Sequence, residues 1–164
     1  MKPTMDNNTA AFIERMGLAL EADSLPRIAG RIFGLLLVSE DCRSLDDLAT
    51  ELRVSKASVS TNARLLEQRG LLERNSRPSD RRDYYRVPSD LFSHTMALRL
   101  ERWQRFHEAI GHARTSLPTR SRKVVERIEE YEAAYAFLSQ AIREALARWV
   151  VSRQHRSALV AGPR

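Results

Sequence analysis

The chain has 164 residues, 27 of them Lys or Arg and 21 Asp or Glu, for a formal net charge of +6 and a pI near 10.1. Its 43% hydrophobic content is ample for the core of a single domain, and the lone cysteine, Cys42, excludes an intramolecular disulfide and suits a reducing compartment. The opening MKPTMDNNTAAF lacks the apolar core of a signal peptide and the longest apolar run, Ile32 to Val38, is too short to span a bilayer, so a cytoplasmic protein with no membrane association is expected.

The basic surplus is compatible with an anionic partner, and it is unevenly placed. Residues 1–50 hold five basic and eight acidic side chains, residues 51–90 nine and six, and residues 91–164 thirteen and seven. In chain order, Thr9–Glu21 reads as an amphipathic helix with Phe12, Ile13, Met16 and Leu20 on one side. A second helix starts at Pro26, a favoured first-turn residue, and runs to about Ser39. Its Gly30 and Gly34 would let a neighbouring helix pack closely. No redox role is assigned to Cys42.

The segment SLDDLATEL carries Ser44 at an N-cap and Asp47 three residues on, a capping box, with Leu45, Leu48, Ala49 and Leu52 on one apolar face. After a break at Arg53–Ser55, Ser55 can cap a second helix, Lys56–Arg69, which Gly70 would end in a left-handed conformation. This is helix-turn-helix spacing. On the second helix Val59, Asn62, Ala63, Leu65 and Leu66 share one side, and Ala57, Ser60, Thr61, Arg64 and Gln68 the other. A small, polar outer face suits a major groove, where hydroxyl, amide and guanidinium groups pair with base edges. Lys56 and the first-turn N–H groups would meet phosphates, and Ser55, Ala57 and Ser58 belong to the same candidate DNA-binding set. An ordinary solvated face is the competing reading for such a helix alone.

The adjoining segment tips the balance. LLERNSRPSDRRDYYRV, from Leu71, reads as two strands around a Ser-Arg-Pro-Ser-Asp turn. Five of the thirteen residues from Arg74 to Arg86 are arginine (74, 77, 81, 82 and 86), against two aspartates. Arginine at a hairpin tip suits a narrow, strongly negative minor groove, and its position directly after a candidate recognition helix favours nucleic acid over a merely solvated loop.

The remainder reads as scaffold. A helix from about Ser89 to Ala113 carries Phe92, Met96, Leu100, Trp103, Phe106 and Ile110 at helical spacing. Pro118 restarts the chain into a last helix, expected to run to about Ser152, in which Val124, Ile128, Tyr131, Tyr135, Leu138, Ile142, Ala145 and Trp149 follow a heptad pattern. That helix would be roughly 50 Å long, more than one small domain covers. Homodimerisation through Phe12, Ile13 and Met16 of the first helix together with Val124, Ile128, Tyr131, Tyr135, Leu138, Ile142 and Trp149 answers the need; an intramolecular helical hairpin is the alternative. No phosphate loop, nucleophile elbow or zinc-helix motif occurs. His107 and His112 beside Glu108 fall on different helix faces, so neither a catalytic nor a metal role is assigned and no cofactor is expected.

LPRIAGRIFGLLLVSE (25–40), SLDDLATELRVSKASVSTNARLLEQRGLLER (44–74) and SDRRDYYRV (79–87) together resemble the GbsR-type branch of the MarR transcriptional regulators, with the match covering residues 10–90 well. The resemblance implies that Arg82 enters the minor groove and that Asp80 orients the wing. It further implies a homodimer on a palindromic double-stranded DNA operator, most often as a repressor. Arg53 departs from the pattern, since such turns often carry glycine. Relatives of this type respond to small molecules, quaternary ammonium compounds included, for which an aromatic cage is the physical basis. Phe12, Trp103, Phe106, Tyr131 and Tyr135 are the candidates for such an effector pocket, although plain packing is the preferred reading of all five and no ligand is identified.

The fold expected is therefore mainly α: an N-terminal helix contributing to dimerisation (1–24), a winged helix-turn-helix domain with a two-stranded β-wing (25–88) and a C-terminal helical dimerisation region (89–164). The function expected is a sequence-specific, DNA-binding transcriptional regulator. A winged-helix protein-interaction module and a sequence-independent nucleic-acid binder are the alternatives.

Overall fold

A computed structural model describes residues 6–78, 80–116 and 121–161, the side chains at 113, 115 and 156–161 excepted. They fall into two compact units, one ending at Leu91 and the other starting at Phe92.

In the first unit, α1 (Asn7–Ala22) begins where the Asp6 carboxylate accepts the backbone N–H groups of Asn8 and Thr9, both at 2.9 Å. It packs along α2 (Arg27–Leu37), the central helix, whose Ala29, Ile32, Phe33, Leu35 and Leu36 are buried. Pro26 is the N-cap of α2 rather than its first helical residue; its ψ of 140° is extended, so the helical turn starts one residue later. The approach of α1 to α2 requires glycine at position 30. A Cβ there would lie 2.4 Å from the Met16 carbonyl oxygen and 2.7 Å from the Gly17 Cα.

Helix α3 (Leu45–Leu52) opens on the capping box. The Ser44 hydroxyl accepts the Asp47 N–H at 3.2 Å, and the Asp47 carboxylate accepts the Ser44 N–H, also at 3.2 Å. Each such cap is worth about 1 kcal/mol. Arg53 ends α3 in the left-handed region, φ 55° and ψ 46°, where an L side chain is strained. Helix α4 (Lys56–Gln68) follows at once, and Gly70 takes φ 76° beyond its end. Leu48, Leu52, Val59, Ala63 and Leu66 of these two helices close over α2 in one core. Each large aliphatic side chain so buried contributes about 1.5–3 kcal/mol.

The expected two-stranded wing hairpin is present, and a third short strand, not foreseen from the sequence, joins it in an antiparallel sheet. Its order is β1 (Arg43–Ser44), β3 (Asp80–Arg86), β2 (Glu73–Arg77). The extra strand pairs Arg43 with Tyr85 and Ser44 with Tyr84. Two residues leading into a helix carry no period-two signal, so only the partner strand reveals them. Tyr85 points into the core and Leu72 is fully buried beside it, anchoring the hairpin base.

The second unit consists of α5 (Leu91–Ser116) and α6 (Arg122–Ala161). Ring pairs Phe92–Trp149 at 5.3 Å, Trp103–Tyr135 at 5.5 Å and Phe106–Tyr131 at 5.8 Å descend along one helix as they climb the other, so the two run antiparallel. Helix α6 extends well past Ser152, its expected end, and spans 40 residues. The expected restart at Pro118 lies outside the described residues. No helix among the described residues is long and apolar enough to cross a membrane.

Candidate nucleic-acid interface

The turn at Arg53 aims α4. The Ser55 hydroxyl accepts the Ser58 N–H at 3.2 Å, and the Arg31 guanidinium donates to the Leu52 carbonyl at 3.0 Å while pairing with Glu14 at 2.7 Å. Arg31 thus caps the C-terminal end of α3 and ties the turn to α1. Val59, Asn62, Ala63 and Leu66 are buried, which turns Ala57, Thr61, Arg64 and Gln68 outward, all exposed, with Ser58 and Ser60 half-buried at the margin. The side-chain amide of Asn62 donates to the Ser58 carbonyl at 2.8 Å. This outer face offers hydroxyls and one guanidinium on a rigid helix.

Not every expected cation is unencumbered. Lys56 pairs with Asp46 at 2.8 Å, and Arg74 lies between Glu67 at 3.7 Å and Asp83 at 3.5 Å. Arg86 pairs with Glu73. These are exposed pairs, worth little against an incoming phosphate. Arg81 is exposed.

At the hairpin tip Asp80 and Arg82 come together. The Arg82 Nη2 donates to Asp80 Oδ2 at 2.6 Å, its Nε to both carboxylate oxygens at 3.0 and 3.1 Å, and its backbone N–H to Oδ1 at 3.0 Å. Hydrogen bonds from Arg82 first, and from Tyr84 after it, hold the Asp80 carboxyl well below the usual carboxylate range. The same bond pushes the Arg82 guanidinium further up. Sequence reasoning does not find Tyr84: its hydroxyl donates to Asp80 Oδ2 at 2.7 Å, and the Arg77 and Arg82 guanidiniums lie 4.2 and 5.5 Å from its ring centroid. The only sequence signal for it is its place two residues after Arg82, on the same side of an alternating strand.

The residues expected to dimerise part company. Ile13 is 2% exposed inside the first unit, where it packs with α2, and so is taken up by the chain's own core; Phe12 and Met16 lie half-buried against that core. On α6 the heptad splits into two rows. Ile128, Tyr135, Ile142 and Trp149 are half-buried on the side facing α5, whereas Val124, Tyr131 and Leu138 remain 37%, 44% and 44% exposed. The hairpin alternative therefore accounts for one row and, through the Phe106–Tyr131 contact, for part of the other, leaving Val124 and Leu138. Of the candidate effector residues, Trp103, Phe106, Tyr131 and Tyr135 form one ring cluster in the second unit, with His107 stacked on Tyr135 at 6.0 Å; Phe12 belongs to the first unit. Among the described residues no three His, Cys, Asp or Glu side chains are grouped to hold a metal.

A capped helix-turn-helix with a polar outer face, continued by an arginine-bearing hairpin, defines a DNA-binding transcriptional regulator of the winged helix class. Known proteins agree. The model of the MarR family matches residues 23–83. The HTH-type transcriptional regulator MmpR5 of Mycobacterium tuberculosis is 36% identical over 146 residues, covering 84% of each chain. The crystal structure of a transcriptional regulator superposes with a TM-score of 0.79 at 31% identity, over 87% of this chain and 98% of that one. The chain belongs to the MarR family of transcriptional regulators and is not an enzyme.

Proposed function

We propose that the protein is a homodimeric repressor of the GbsR-type branch that occupies a palindromic operator, with α4 in the major groove and the wing beside it in the minor groove. The observation that carries this is the exposed row Ala57, Thr61, Arg64 and Gln68 on a helix whose other side is locked into the core. Arg64, Ser60 and Thr61 read base edges. Ser55, Lys56 and Ser58 contact phosphate, Lys56 exchanging Asp46 for it, and Arg74, Arg77, Arg81 and Arg82 serve the wing, with Asp80 orienting Arg82.

The exposed Val124 and Leu138 on α6, with Tyr131 half exposed beside its contact with Phe106, support the dimer, because a 40-residue helix, about 60 Å long, leaves an apolar edge that α5 covers only in part. A second engagement on one duplex is intramolecular, which multiplies affinity without new contacts. The Trp103, Phe106, Tyr131 and Tyr135 cluster is where an unidentified effector would be sought.

Selection of bound duplexes from a random DNA pool tests the reading. A palindrome with half-sites about one helical turn apart is expected. AT-rich degeneracy would instead indicate a sequence-independent binder, and no enrichment an interaction module. Arg64→Ala should cost about 1–3 kcal/mol and relax preference at one position per half-site, whereas Lys56→Ala should weaken all sequences alike.

A further inference from the structure

We infer that Tyr84 is the positioning residue of the wing, a platform whose ring and hydroxyl fix Arg77 and Arg82 in one orientation before DNA arrives. This rests on the DNA-binding reading and adds a residue to it.

The burial of Tyr84 is the first observation. Along β3, side chains alternate, so Asp80, Arg82 and Tyr84 share one face and Tyr85 takes the other. Tyr85 joins the contiguous core cluster around α2; Tyr84, also buried at only 4% exposed, lies outside that cluster. The guanidiniums of Arg77 and Arg82 lie over its ring, and its hydroxyl is engaged by Asp80.

The strand register supplies the second. Glu73–Asn75 pair regularly with Arg86–Tyr84, but the ladder then shifts, so that Arg77 pairs with Asp80. Such an irregularity re-aims side chains near a strand end. Here it sets Arg77 opposite Asp80, whose carboxylate the Tyr84 hydroxyl engages, while the Arg77 guanidinium lies over the Tyr84 ring.

The two arginines are held by different means, and the difference matters for DNA. The Arg82 charge is offset by the Asp80 carboxylate, which accepts from both its Nε and its Nη2. Arg77 has no ion pair among the described residues and rests on a neutral ring. A ring quadrupole orients a cation without cancelling its charge toward the other side. Arg77, like the exposed Arg81, therefore presents an undiminished positive charge at the tip, and Tyr84 is what keeps Arg77 from sampling other rotamers. Ordering long side chains during association costs entropy that a prearranged pair does not incur again. The hydrogen bond to Asp80 also pushes the Tyr84 hydroxyl up from its ordinary value, which keeps it a donor across the neutral range.

The test uses the full chain and a duplex selected from the random pool, with anisotropy titrations at several salt concentrations and a melting curve for each variant. Arg77→Ala should flatten the slope of log affinity against log salt by about one per subunit, about two for the dimer on a full operator. Tyr84→Leu, where folded, should weaken binding several-fold and should abolish most of the further effect of Arg77→Ala. Tyr84→Phe, which keeps the ring and removes one hydroxyl from the network, should spare the Arg77 contribution and be non-additive with Arg82→Ala. It is the decisive variant if Tyr84→Leu does not fold. Wild-type affinity and slope for Arg77→Ala, or additive effects of Tyr84→Phe and Arg82→Ala in folded proteins, would overturn the inference. Arg64→Ala separates the two levels: if it costs affinity while the Tyr84 and Arg77 variants do not, only the platform falls, and if no duplex is selected at all, the DNA-binding reading falls and takes the platform with it.

Discussion

Replacing Gly30 by alanine perturbs the closest approach between α1 and α2, and its cost follows from three distances. The new Cβ would lie 2.4 Å from the Met16 carbonyl oxygen, 2.7 Å from the Gly17 Cα and 3.0 Å from the Met16 carbonyl carbon. Carbon atoms are comfortable at about 3.5–4.0 Å, so the shortfall is about 1 Å. All three neighbours are backbone, and no rotamer change relieves them. Helix α1 must back away, loosening Ile13 and Met16 against the core. Overpacking of this kind costs about 1–3 kcal/mol or more, and backbone opposition puts it at the upper end. Alanine returns about 0.8–1.0 kcal/mol through its better helix propensity. The expected net loss is about 2 kcal/mol. Gly111→Ala in α5 is the control, because its Cβ would meet nothing within 4 Å; it should stabilise by about 0.5–1 kcal/mol. Urea unfolding followed by circular dichroism gives both values as midpoint shifts at constant slope. A Gly30→Ala protein as stable as the unaltered chain would refute the close-packing argument.

Three other outcomes are expected. Arg53→Gly relieves a left-handed φ of 55° and should raise stability by about 1 kcal/mol in the same unfolding assay, despite the greater freedom of an unfolded glycine; a loss would mean that the arginine side chain matters more than its backbone. Ser44→Ala removes both the cap acceptor for Asp47 and the hydroxyl that donates to Asp47 Oδ2 at 2.7 Å, from a site only 1% exposed. It should destabilise by about 1–2 kcal/mol, and hydrogen exchange should show α3 fraying first. As for pH, a carboxyl depressed on folding contributes stability that is present above its unfolded value and lost as pH falls through the folded one. At pH 3.8, where an ordinary aspartate is half protonated, Asp80 should remain ionised and the wing latched; carboxyl-carbon NMR shifts that titrate near 3.8 would contradict the Arg82 and Tyr84 hydrogen bonds.

The helix-turn-helix was legible residue by residue because its determinants are local. A cap needs only a hydroxyl and a carboxylate three residues apart, which Ser44 and Asp47 provide, and a stop needs only a residue tolerant of positive φ, which Gly70 is. The inner and outer faces of α4 follow from the 3.6-residue period alone. For the same reason the wing was visible as two strands about a turn, whereas the roles of Asp80 and Arg82 came from the resemblance to the MarR regulators. Contacts between distant segments were not legible. Strand β1 exists because Arg43 and Ser44 meet Tyr85 and Tyr84, forty residues on. The burial of Ile13 and the division of the α6 heptad depend on which helix arrives first at each face, and periodicity cannot distinguish a chain's own neighbour from a second copy. Tyr84 looked like any strand aromatic in the sequence; only the cross-strand packing, with Arg77 over its ring and Asp80 at its hydroxyl, makes it part of the wing's charge array.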